Sequence, residues 1–170
     1  ISVGDSCVVA VDYERRSFIA PNHTMTHVLN YALRKVLIVD NQDTSKVVVG
    51  EIDQKGSLVD EDKLRFDFSW NGSLTADQLK SVENLVNENI KQAVPVYAEV
   101  VPLAPAKEIA SLRCVFGEKY PDPVRVLSVG CDVQAMLADP KSEKWNNSSI
   151  EFCGGTHLTN TKEAEIFVLA

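Results

Sequence analysis

The 170-residue sequence has no apolar run approaching the ~20 residues that a membrane-spanning helix needs. It has no basic start followed by a long apolar stretch, so nothing at its beginning reads as a secretory signal. No two of its four cysteines, Cys7, Cys114, Cys131 and Cys153, lie close together. That excludes a disulfide framework of the secreted type and fits a reducing, intracellular, cytoplasmic setting. Triplets such as Asn22-His23-Thr24 then read as chance rather than as glycosylation sites. Positive charge is also in short supply, with 17 Lys and Arg against 24 Asp and Glu and a net charge of −7. Tight binding to nucleic acid runs mainly on cations that neutralise phosphates, so neither DNA nor a membrane is an expected partner. Contact with RNA would need a local patch or help from other domains. Internal repeats and low-complexity tracts are lacking. So is an initial Met: the chain opens in mid-pattern, which points to a piece of a longer protein.

What is present is ordinary globular material, 45% hydrophobic and 24% charged, and long enough to bury a core without staples. Residues 6–12 alternate as a strand. Pro21-Asn22 breaks the chain and caps a helix over about 23–38, with Met25, Val28, Leu29, Ala32, Val36 and Leu37 on its buried face. Segments 46–52, 56–60 and 63–70 read as strands, the last two joined as a hairpin at Asp60-Glu61-Asp62. The clearest helix covers 75–94, with capping-box spacing at Thr75 and Gln78. Its stripe is Leu79, Val82, Leu85, Val86, Ile90 and Ala93, and Pro95 ends it. A strand over 96–102, a short helix near 105–115 and a strand over 124–130 follow. Residues 132–149 read as a loop or insertion, and 150–152 and 164–169 as closing strands. The expected fold class is α+β, a mostly antiparallel sheet with two long helices packed on it.

Chemistry concentrates on the only three histidines. His23 and His27 stand four apart on a predicted helix, so both rings leave one face. The third closes Cys153-Gly154-Gly155-Thr156-His157. Three imidazoles and a thiolate suit Zn2+, which is tetrahedral and content with nitrogen and sulfur. The glycines would let the backbone turn so that Cys153 and His157 face one ion. The bland alternative makes Cys153 a small buried hydrophobe and the histidines hydrogen-bonded core residues. Four protein ligands favour a structural site, while catalysis needs an open or loosely held position. A zinc protease of the His-Glu-x-x-His type carries a glutamate where this chain has Thr24, so the helix is not a protease helix. Thr24 and Thr26 either bond helix carbonyls or read a polar group of a substrate.

His23-Thr24-Met25-Thr26-His27-Val28-Leu29 resembles the His-x3-His signature of alanyl-tRNA synthetase editing domains. Asp53-Gln54-Lys55-Gly56-Ser57-Leu58-Val59 with Leu64-Arg65-Phe66-Asp67-Phe68 is similar to the next block of that family. Phe116-Gly117-Glu118-Lys119-Tyr120 with Val124-Arg125-Val126-Leu127-Ser128 is similar to the third, and Phe152-Cys153-Gly154-Gly155-Thr156-His157 to the zinc block. The metal pattern alone is shared with freestanding alanyl-editing proteins and the threonyl-tRNA synthetase editing region. The segments 38–50 and 131–149 look longer than in compact bacterial versions, which resembles cytosolic eukaryotic enzymes.

The resemblance implies a zinc-containing editing-domain fold over 19–170, with 1–18 ending a preceding barrel-like segment. It implies zinc on His23, His27, Cys153 and His157. The implied activity is aminoacyl-tRNA deacylation: hydrolysis of serine or glycine from the tRNA for alanine, as part of an ATP-dependent alanine-tRNA ligase active in protein biosynthesis. Partners are then the 3′ end of that tRNA and the other domains of the parent synthetase. Gln54 is expected to touch substrate, Thr24 ahead of Thr26 to recognise serine, and Lys55, Arg65 and Arg125 to contact tRNA. The alternative is a noncatalytic zinc-stabilised module that binds tRNA or protein. Whether the metal serves chemistry or mainly the fold stays open.

Overall fold

The computed structural model describes residues 2–39, 52–114 and 117–170. Residues 46–51 of an expected strand, 40–50 of the longer segment 38–50, Ile1, Val115 of the expected short helix and Phe116 of the third block lie outside them.

Two long helices and two antiparallel sheets make an α+β fold. Helix α1 covers Tyr13–Val39, and α2 covers Ala76–Lys91. Strands β1 (Gln54–Val59) and β2 (Leu64–Phe68) form a hairpin. Strands β3 (Val96–Val101), β4 (Val124–Val129) and β5 (Ser149–Phe152) form a second sheet in the order β3-β4-β5. Short helices α3 (Leu103–Ala106) and α4 (Val133–Ala138) and two 3-10 turns complete the described elements. No described helix is long and apolar enough to cross a membrane.

The apolar stripes read from the sequence meet as one core, except that Leu79 stays exposed and Ala93 lies past the end of α2. Met25, Val28, Leu29, Ala32 and Leu37 of α1 pack with Val82, Val86 and Ile90 of α2. Each of these side chains except Ala32 contributes about 1.5–3 kcal/mol of transfer free energy. The Thr75–Gln78 capping box forms in both directions. A second cluster, including Val124, Val126, Ile150, Val133 and Met136, fills the other face of the three-stranded sheet. The sheet is thus covered on both sides, which explains why all of β5 is buried.

Several elements differ from expectation. Helix α1 does not start after Pro21; it begins eight residues earlier, with Pro21 inside it. Asp12 caps it by accepting the Arg15 N–H at 2.9 Å. Proline deprives the Ser17 carbonyl of its helical donor, but Ser17 lies on an exposed turn where water can replace it. Residues 2–12 form no strand: Val3, Val8 and Val9 are almost wholly exposed and no described strand lies beside them. The helix near 105–115 shrinks to the four residues of α3, and Arg113 instead makes a parallel bridge to Glu151 on β5. Residues 132–149 are not a plain loop, because α4 and a 3-10 turn lie there and bury Val133 and Met136. The closing segment alternates as expected, with Phe167 buried between exposed Ile166 and Val168. Its partner is a helix rather than a strand: Asn87 and Glu83 of α2 accept the Phe167 and Leu169 N–H groups.

Candidate metal centre and its cavity

The site forms where α1 crosses the end of β5. His23 and His27 point from one face of the helix, while Cys153 and His157 follow the strand through a five-residue turn. One ligand atom from each of the four residues lies within 4.8 Å of the others. The Cys153 Sγ is 3.4 Å from His23 Nε2 and 3.3 Å from His157 Nε2. His27 Nε2 is buried and has no hydrogen-bond partner. An orphaned imidazole nitrogen beside a thiol and two more imidazoles is a donor set that fits a borderline-soft cation such as Zn2+.

The turn is held by contacts that leave these atoms free. Arg125 of β4 donates to the carbonyls of Cys153 and Gly155. Thr24 donates to the Ala20 carbonyl at 2.9 Å and accepts the Leu158 N–H at 3.0 Å, and its Oγ1 lies 3.3 Å from His157 Nδ1. Gly154 and Gly155 are not among the described residues with positive φ. What Gly155 supplies is space: a Cβ there would lie 2.5 Å from His23 Nδ1, whereas at Gly154 it would meet nothing within 4 Å.

Electrostatics favour a metal-ready state. Burial disfavours a charge on His27, but the Glu151 carboxylate and the Cys153 sulfur outweigh it and lift its pKa to about 10. Burial also disfavours a thiolate at Cys153, yet hydrogen bonding from His157 and His23 and the charge on His27 bring it down to about 3. His157 is pushed down to about 4 by burial and by its positive neighbours, against the pull of the Cys153 sulfur. The metal-free site therefore carries a thiolate at Cys153 and a proton on His27 that a metal would displace.

The cluster ends a cavity of about 710 Å³, within the ~300–1,000 Å³ typical of ligand pockets. Its walls carry four cations, Arg34, Arg113, Lys119 and Arg125, and three carboxylates, Asp53, Glu118 and Glu151. The balance is locally positive although the chain is at −7. Gln54, Ser57 and Thr26 add neutral polar groups to the wall.

The sequence-predicted residues separate accordingly. His23, His27, Cys153 and His157 come together. Gln54, Thr26 and Arg125 reach the cavity. Thr24 is fully buried behind the cluster and is absent from the cavity wall. Lys55 pairs at 3.8 Å with Asp53, and Arg65 pairs at 3.0 Å with Asp67, both outside the cavity. Sequence reasoning missed Glu151, Asn30, Arg34, Arg113 and Lys119. Glu151 left a signal, a lone charge in an otherwise uncharged strand two residues before a ligand. The three cations left none, because only folding gathers them.

Residues 124–170 match the family described as Threonyl and Alanyl tRNA synthetase second additional domain. Over 170 residues the chain is 49% identical to the cytoplasmic alanine-tRNA ligase of Dictyostelium discoideum, covering 99% of this chain and 17% of that protein. It is 47% identical over 169 residues to the mitochondrial alanine-tRNA ligase of Saccharomyces cerevisiae, covering 99% of this chain and 16% of that one. With the alanine-tRNA ligase of Bacillus velezensis it shares 38% identity over 167 residues, 98% of this chain and 16% of that protein. The chain thus spans about one sixth of the length of these curated relatives.

Proposed function

The chain belongs to the alanyl-tRNA synthetases as the counterpart of one segment of them, and from that premise we propose that it is their proofreading hydrolase. In this reading it hydrolyses the ester that joins serine or glycine to the 3′ end of the tRNA for alanine. Water enters, the acyl–oxygen bond breaks, and the free amino acid and the tRNA hydroxyl leave. The observation that carries the reading is the three-imidazole, one-thiol cluster at the end of a locally positive cavity. A synthetic site shaped for a methyl group discriminates against serine or glycine by only ~1–3 kcal/mol, so a second sieve is needed.

His23, His27, Cys153 and His157 would hold Zn2+, which supplies a Lewis acid beside the ester. The chain's other groups orient the substrate. Gln54 and Thr26 present neutral hydrogen-bonding groups to the aminoacyl end. The serine-recognition role expected first of Thr24 passes to Thr26: the Thr24 hydroxyl both donates to Ala20 and accepts from Leu158, whereas Thr26 donates to the Asn22 carbonyl but lies on the cavity wall and keeps its oxygen as an acceptor. Arg34, Arg113 and Lys119 would meet the phosphates of the 3′ end. Lys55 and Arg65, exposed but paired with carboxylates, would serve as outer tRNA contacts, and Arg125 would brace the turn. Residues 19–170 would be the editing unit, with 1–18 part of a preceding segment that runs without a break into α1 from Tyr13. In support, residues 2–18 are exposed and cover begins at Ile19. Few cations mean weak, salt-dependent binding by this segment alone. The rest of a cytoplasmic synthetase would raise the effective concentration of the 3′ end.

One observation favours a second reading. Four protein ligands are the usual signature of a closed, structural zinc site, which would make the chain a noncatalytic tRNA- or protein-binding module. The two readings part on a panel of seryl-, glycyl- and alanyl-tRNA for alanine, assayed at low salt with excess zinc-loaded chain. Release of serine and glycine with alanine spared is expected. A folded, zinc-loaded chain that releases none of them is the module.

A further inference from the structure

Helix α1 and strand β5 present matching columns of polar groups to each other. His23, His27 and Asn30 recur at helical spacing on one face of α1, and Glu151 and Cys153, two apart, share one face of β5. Glu151 is only 7% exposed and Asn30 only 5%. The carboxylate is held at both oxygens: Oε2 lies 2.7 Å from His27 Nδ1, and Oε1 accepts Asn30 Nδ2 at 2.9 Å. A carboxylate buried in a strand of the core is costly compared with an apolar residue of the same size. Packing alone gives no reason for it here. The chemistry of the ring opposite does. A carboxylate at Nδ1 keeps the proton on that nitrogen, so Nε2 is the atom left to bind. Nε2 is the buried orphan that faces Cys153 and the other two imidazoles.

We propose that Glu151 and Asn30 are positioning residues of the metal centre: the Glu151 carboxylate fixes the tautomer and ring plane of His27, and Asn30 fixes the carboxylate. This inference rests on the metal-binding part of the function proposed above and does not depend on which ester is hydrolysed. A carboxylate behind a ligating imidazole orients the ring and makes its free nitrogen a better donor. Ser149, two residues further back on the same face, donates to the His27 carbonyl at 3.1 Å and holds the same helical turn. The competing view is an ion pair that merely clips β5 to α1.

Zinc affinity separates the two. Glu151→Gln preserves shape and the acceptor for His27. Its new amide faces Asn30, and a flip of the Asn30 amide lets Oδ1 accept from it, leaving Nδ2 in the place where Oδ1 now has no partner. Zn2+ dissociation constants from chelator competition, and the visible spectrum of the Co2+-loaded chain, are compared with wild type. Glu151→Gln is expected to weaken Zn2+ by about 10–100-fold, to shrink the rise in melting temperature on adding Zn2+, and to change the Co2+ bands. Asn30→Ala, which keeps the carboxylate, is expected to lose less than Glu151→Gln but measurably more than twofold, and it carries the test if Glu151→Gln fails to fold. Unchanged Zn2+ affinity and Co2+ bands in both folded variants, with melting temperatures lowered equally with and without metal, would overturn the proposal and leave a clip. A wild-type chain that binds neither ion would overturn both the proposal and the metal-centre reading.

Discussion

Replacing Gly155 with alanine tests the geometry of the metal centre with a single methyl group. The added Cβ would run into His23 Cε1 and sit 2.5 Å from His23 Nδ1 and 3.3 Å from His23 Nε2. Ordinary contact between such atoms is about 3.5 Å, so the ring must retreat by more than about 1 Å. Metal ligands hold their distances to within about 0.2 Å, so that retreat takes His23 out of the coordination sphere or strains the turn. Forcing a methyl into packed space costs about 1–3 kcal/mol, which corresponds to a loss of about 5–150-fold in Zn2+ affinity. The turn has little room to yield, because Arg125 grips the carbonyls of Cys153 and Gly155. The assay is Zn2+ competition with a chromogenic chelator. Gly154→Ala serves as the control, since its Cβ meets nothing within 4 Å. Affinity within twofold of wild type in Gly155→Ala would refute the claim that His23 is a ligand held at this spacing.

Other outcomes follow from the same site. Thr24→Val strands the buried Leu158 N–H and is expected to cost about 1–3 kcal/mol in urea unfolding; a change under about 0.5 kcal/mol would contradict its bracing role. Thr26→Val should slow seryl-tRNA hydrolysis more than glycyl-tRNA hydrolysis, and equal loss on both would remove Thr26 from serine recognition. For the metal-free chain, Cys153, near 3 when folded and 9.0 ordinarily, stabilises fully above pH 9.0 and loses this as pH falls. His27, near 10 when folded and 6.5 ordinarily, stabilises fully below pH 6.5 and loses this as pH rises. The two slopes cancel between pH 6.5 and 9.0. His157, near 4 when folded and 6.5 ordinarily, adds a second loss below pH 6.5. The melting temperature should therefore be flat across that window and fall on both sides, more steeply in acid. A steady rise through the window would mean that Glu151 does not hold His27 charged.

The gathering of His23, His27, Cys153 and His157 was legible because helical periodicity puts residues four apart on one face and a short turn returns a strand to them. The core stripes of α1 and α2 were legible for the same reason. Pro21 misled, because a rule about lost hydrogen bonds takes no account of water on the exposed turn around Ser17. The closing segment misled because alternation reports which side chains are covered and not what covers them; Asn87 and Glu83 of a helix do what a neighbouring strand would. Of the four cations at the cavity only Arg125 was singled out, since Arg34, Arg113 and Lys119 come from parts of the chain that only the tertiary fold brings together. Thr24 and Thr26 look alike in sequence, and a rotation of two residues about the helix axis puts one behind the metal cluster and the other on the cavity wall.

Single-turnover release of serine from seryl-tRNA for alanine, by the zinc-loaded chain and by Cys153→Ala, tests the central claim most directly, with unfolding melts on the same samples. The expected result is serine release by the wild-type chain, alanyl-tRNA left intact, and a loss of about 100-fold or more in a variant that still melts cooperatively. Equal release by the folded variant, or equal hydrolysis of seryl- and alanyl-tRNA, would contradict an editing site built on this metal centre.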